Sequence, residues 1–142
     1  MMNLKQGIVT IDGFTIDSKT KYSEVVNNLK NRMKTTKIDE VSDAIRFLSP
    51  VQLGSKKFFI NIFFANELIQ AIELCVADPS INEWDYKALI AQHGEWLTEQ
   101  IGYPEGVLDD NVYDWGKINQ WEDFRSRDAG ISILYFQNRE CI

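Results

Sequence analysis

The chain has 142 residues, 44% of them hydrophobic and 25% charged, with a net charge of −6. That length is the common size of one domain, here expected over residues 1–142, and the mixture can fill a core without disulfides or metals. The composition excludes a disordered chain, and the most apolar stretch, Phe58–Phe64, is far shorter than the roughly 20 residues of a membrane-spanning helix. The first residues, MMNLKQGIVTID, show no apolar core of a signal peptide, so a cytoplasmic protein is expected.

The charge is uneven. Residues 1–50 carry a net +2, residues 51–104 a net −4 and residues 105–142 a net −4. Phosphate neutralisation needs clustered Lys and Arg, and none occurs outside the first predicted helix. Nucleic acid is therefore not the expected ligand. A cationic partner suits the acidic two-thirds of the chain better.

In chain order, Ile8–Ile11 and Phe14–Ile16 flank Asp12-Gly13, a strong signal for a hairpin with a type I′ turn. Tyr22, Val25, Val26, Leu29 and Met33 recur at helical spacing and predict a helix from Tyr22 to Lys34, with Ser18 or Thr20 as cap. Residues 43–48 alternate as a strand. Ser49-Pro50 and Gly54-Ser55 bracket a connection. Lys57–Phe64 reads as a strand, Ala65-Asn66-Glu67 as a turn, and Leu68–Ala77 as a strand apolar on both faces.

A second helix is predicted from Glu83 to Ile101, capped by Asn82 and stopped by Gly102 before Pro104. Its apolar face includes His93 and Trp96. An acidic connection, Glu105 to Asp110, leads to strands Val112–Trp121 and Ile131–Phe136. Between them Glu122–Gly130 reads as a nine-residue loop, with Asp123, Arg125, Arg127 and Asp128 able to pair locally. The order ββα-βββ-α-ββ with short connections predicts an α+β fold: an antiparallel sheet of about seven strands with two helices.

The chemistry-bearing residues are few. Cys75 lies in an apolar run and reads as a small buried hydrophobe; Cys141 is penultimate, and the two imply no disulfide framework. The one histidine, His93, reads as a packing residue. No HExxH, CxxC, GxxxxGK[ST], GxGxxG or GxSxG occurs, so no catalytic, cofactor-binding or metal-ligating residue is expected. The acidic pairs Asp109-Asp110 and Glu122-Asp123 fit a solvated surface better than acid–base catalysis. Of the four tryptophans, Trp115 and Trp121 share a parity with Tyr113 and Asn119, which makes either core or an aromatic patch beside acids.

Two stretches, Gly7–Ile16 and Tyr113-Asp114-Trp115-Gly116-Lys117-Ile118 with Asp123-Phe124-Arg125 and Ala129–Ile133, resemble small bacterial immunity proteins of polymorphic-toxin and contact-dependent inhibition systems. The resemblance implies a cytoplasmic inhibitor of one cognate toxin domain, often a nuclease, with no catalytic residues and no cofactor. Combined with the charge pattern, it places Asp109, Asp110, Asp114, Trp121, Glu122 and Asp123 at the partner-facing surface of a monomer. The competing expectation is a small-molecule-binding or enzymatic domain with an aromatic pocket in the sheet beneath the helices. A third is a subunit that uses Phe58–Phe64 near an exposed edge.

Overall fold

A computed structural model describes residues 2–82, 85–102 and 111–137. Among them the chain forms two α-helices and ten strands, in an α+β arrangement. The first hairpin forms as expected: β1 (Val9–Ile11) pairs with β2 (Phe14–Ile16), and Asp12 and Gly13 both take positive φ, 50° and 81°. It forms its own two-stranded sheet.

The helix predicted to reach Lys34 is shorter. α1 spans Tyr22–Leu29, a 3-10 turn follows over Lys30–Arg32, and β3 (Met33–Lys37) begins where the helix was expected to continue. Met33 is four residues after Leu29, which fits a helical stripe, but it equally fits the inward position of a strand opposite Phe47. Neither Ser18 nor Thr20 caps α1. The Lys21 N–H is taken by the Glu24 carboxylate at 2.9 Å, while the Thr20 hydroxyl accepts from Asp17 N–H.

β4 (Ser42–Phe47), β6 (Lys56–Ala65) and β7 (Leu68–Val76) follow the expected segments closely. The bracketed connection contains a further short strand, β5 (Val51–Leu53), which folds back on β6 through Gly54-Ser55. α2 covers Tyr86–Ile101. Its cap is Asp85, whose carboxylate accepts from Ala88 N–H, in place of Asn82; Gly102 ends it as predicted. Val112–Trp121 is not one strand. β8 (Asn111–Tyr113) turns at Asp114-Trp115 into β9 (Gly116–Asp123), and β10 (Asp128–Tyr135) completes the sheet. The nine-residue loop is thereby reduced to Phe124–Arg127, because Glu122 and Asp123 pair with Ala129 and Asp128.

The large sheet is antiparallel, in the order β3-β4-β6-β7-β10-β9-β8, with β5 beside β4 on the same side of β6. β6 is interior, so Phe58–Phe64 is not an edge segment. One face of the sheet is the core side: Phe58, Ile60, Ile62 and Phe64 of β6 align with Ile72, Leu74 and Val76 of β7 and with Ile131 and Ile133 of β10. Both helices and the hairpin cover this face. Trp96 of α2 is fully buried, meets Phe58 edge-on at 4.8 Å, and donates its indole N–H to Leu53 O at 2.7 Å. Gln120, also inward, donates to Ile90 O and ties β9 to α2. No helix among the described residues is long and apolar enough to cross a membrane.

Candidate partner-binding surface

Both helices lie on one face, so among the described residues no helix covers the other face of the sheet. Its residues follow from strand alternation: every side chain between two core positions points outward. The register sets them in rows. Lys34, Arg46, Asn61, Glu73, Ser132 and Asn119 stand side by side across six strands, a polar row through the middle of the face. In the next row Phe59 pairs with Cys75, and Trp121 pairs with Gly130.

Gly130 has a definite task here. A Cβ at this position would lie 2.6 Å from the Trp121 ring, so the indole rests on bare backbone. With no side chain between them, Trp121 reaches over β10 toward Glu73. The half-buried Glu73 carboxyl is pushed above its usual range by burial, against hydrogen bonds from Ser132 and Trp121. The Ser132 hydroxyl donates to it at 2.7 Å. Among the described residues no cation pairs with Glu73: the ion pairs are Arg32–Asp12, Lys37–Asp43 and Lys56–Glu95. Asn119 Oδ1, next to Ser132, is buried with no hydrogen-bond partner among the described groups.

Three cavities meet on this face, and Phe59, 52% exposed, lines all of them. One of about 390 Å³ carries Lys34 and Arg46. One of about 150 Å³ carries Glu73, Asp128 and Trp121. The third, about 490 Å³ and mainly apolar, runs past Val76, Pro79, Ile81 and Leu89 to Arg127. The face is thus split by charge, cationic toward β3 and β4 and anionic toward β7 and β10.

The expected surface residues are divided by the fold. Trp121, Glu122 and Asp123 come together at one end of β9, beside Phe124, which is 70% exposed. Asp114 is exposed at the other end of β9, roughly 20 Å away along the strand, and lines a separate cavity with Lys19, Lys21 and Phe136. Asp109 and Asp110 lie outside the described residues. No ion pair joins Asp123, Arg125, Arg127 and Asp128; instead Asp123 Oδ1 accepts from Arg125 N–H and Asp128 Oδ1 from Ala129 N–H, which shapes the turn locally.

Trp115 and Trp121 do not share a face. Trp115 sits in the β8–β9 turn, stacked on Tyr113 at 5.5 Å, and donates to Lys5 O at 2.8 Å, closing over Gly7. Cys75 is only half-buried, on the open face, and burial still holds its thiol up at about 11. His93 is fully buried; its Nε2 accepts from Val76 N–H at 2.9 Å, and burial pushes its pKa down to about 4. Among the described residues no group of three His, Cys, Asp or Glu could hold a metal. The space beneath both helices is filled by the core.

Phe59 and Glu73 were not among the expected surface residues, and Asp128, expected in a loop, instead lines a cavity with Glu73 and Trp121. The signal was present for one of them: Glu73 is the only charged residue in the run Ile69–Val76, which is apolar apart from it and Gln70. No protein-family model matches the chain, and no curated protein or solved structure matches it.

Proposed function

We propose that this chain is an immunity protein that acts in the cytoplasm by binding and neutralising a basic toxin domain, a nuclease on the grounds of charge. The observation that carries the reading is Phe124, 70% exposed at the tip of the β9–β10 hairpin, with Glu122 and Asp123 beside it and the open face with Trp121 and Phe59 behind it. Exposed aromatics rimmed by charge match the anatomy of interface hot spots. Nuclease domains hold phosphates in basic clefts. An acidic chain with net charge −6 is steered to such a surface, and the hairpin supplies an apolar anchor once contact is made. Occupying the cleft would exclude the nucleic acid by sterics and by charge. The resemblance of the two end segments to immunity proteins supports the same role.

The test is co-purification of the tagged chain with the C-terminal domain of a large secreted protein encoded immediately upstream, at low and high salt. A one-to-one complex that weakens with salt and abolishes the domain's activity is expected. No complex at either salt would overturn the reading.

A further inference from the structure

The small cavity between Phe59 and Trp121 combines features that select one kind of occupant. Two carboxylates, Glu73 and Asp128, line it with the side chain of Asn61, and two aromatic rings wall it. Glu73 is half-buried, lacks a cationic partner among the described residues, and is held in place by Ser132 at 2.7 Å. A half-buried carboxylate gains most from a partner that brings both charge and donors, and ring faces attract the same cation. The volume, about 150 Å³, admits the end of a long side chain and little more.

We infer that this pocket receives a single cationic side chain, arginine or lysine, from a basic protein partner. The inference rests on the partner-binding reading and adds to it the point of recognition. It also moves the centre of the interface from the acidic segments of the chain to the β7–β10 half of the open face. Burial of Glu73 disfavours its bare charge, and an inserted cation reverses that, so the pocket is matched to a charged guest.

Two measurements decide it. The first titrates the full-length chain with N-acetyl-arginine amide, and in parallel with the neutral citrulline amide, following the Trp121 indole N–H by NMR. Saturable shifts with the arginine compound alone, lost in Glu73→Gln and weakened in Asp128→Asn, are expected. Equal response to both compounds, or none, would overturn the pocket. The second measures affinity for the toxin domain. Glu73→Gln keeps an acceptor for Ser132, so the fold is retained, and it should speed dissociation by about 30-fold or more. An unchanged affinity with an intact complex would overturn the pocket and leave the inhibitor reading standing. No complex with the wild-type chain, with saturable arginine binding, would leave the pocket standing and remove the inhibitor reading.

Discussion

At the scale of single residues, His93 and Gly116 show how burial and backbone proximity constrain the chain. His93 Nε2 accepts from Val76 N–H, so the folded protein needs the neutral imidazole. Burial lowers the folded pKa from 6.5 to about 4, helped by Lys56 and opposed by Asp128. Between these two values the unfolded chain binds a proton that the folded chain refuses. This contribution is therefore complete above pH 6.5 and lost as pH falls toward 4, by on the order of 3 kcal/mol. Gln at this position can keep an acceptor for Val76 but does not titrate. Denaturation of wild type and His93→Gln at pH 7, 5.5 and 4 should show the wild-type advantage shrinking with pH; parallel curves would refute the assignment. Gly116 faces a different limit. A Cβ there would sit 1.9 Å from Leu134 O, which is backbone and cannot yield without breaking the β9–β10 pairing. Gly116→Ala should cost about 2–3 kcal/mol. Gly13→Ala, with open space but φ of 81°, should cost only about 1–2. A glycine within a strand signals a bulge or a close backbone approach, and the structure shows that Leu134 O is what approaches Gly116.

At the scale of elements, the β9–β10 hairpin allows the proposed binding role to be tested apart from stability. Phe124 is 70% exposed and is not part of the buried core, so Phe124→Ser should change unfolding free energy by no more than about 0.5 kcal/mol. If the proposed role holds, the affinity of this variant for the toxin domain should fall by at least about tenfold, as for an anchoring aromatic. Equal affinity in a binding titration would remove the hairpin tip from the interface. The elements that sequence reading misjudged share a cause. Met33 satisfies helical and strand spacing alike, and only its pairing with Phe47 selects the strand. Val51–Leu53 is too short to display alternation, yet it matters because Leu53 O accepts the Trp96 indole N–H and seats α2. The two-residue turn at Asp114-Trp115 breaks an apparently continuous strand because Tyr113 pairs with Gly116.

At the scale of the whole molecule, the last strand is central. β10 lies between β7 and β9, pairing with residues more than fifty positions earlier on one side. Tyr135 donates to Gly7 O at 2.9 Å and Trp115 to Lys5 O, which clips the N-terminal turn to the closing strands. The core is one continuous cluster from Leu4 to Tyr135. A chain truncated before Asp128 would leave the apolar edge of β7 unpaired and should lack the near-ultraviolet tryptophan signature of a packed core. The intact chain should unfold in one transition, with far- and near-ultraviolet signals coinciding. Separate midpoints would show that the hairpin or α1 is an independent unit.

The sequence by itself determined the α+β class, the first hairpin, the β6–β7 pair and α2. Each rests on local terms: turn chemistry at Asp12-Gly13, alternation in Lys56–Ala65, a helical apolar stripe ended by Gly102. Only the tertiary structure decided which face of the sheet stays open and which distant residues meet there. Alternation assigns side chains to two faces but does not say which face the helices will cover. Glu73, Ser132 and Trp121 come from three strands, and their meeting follows from β10 entering between β7 and β9, a long-range pairing that no local pattern encodes.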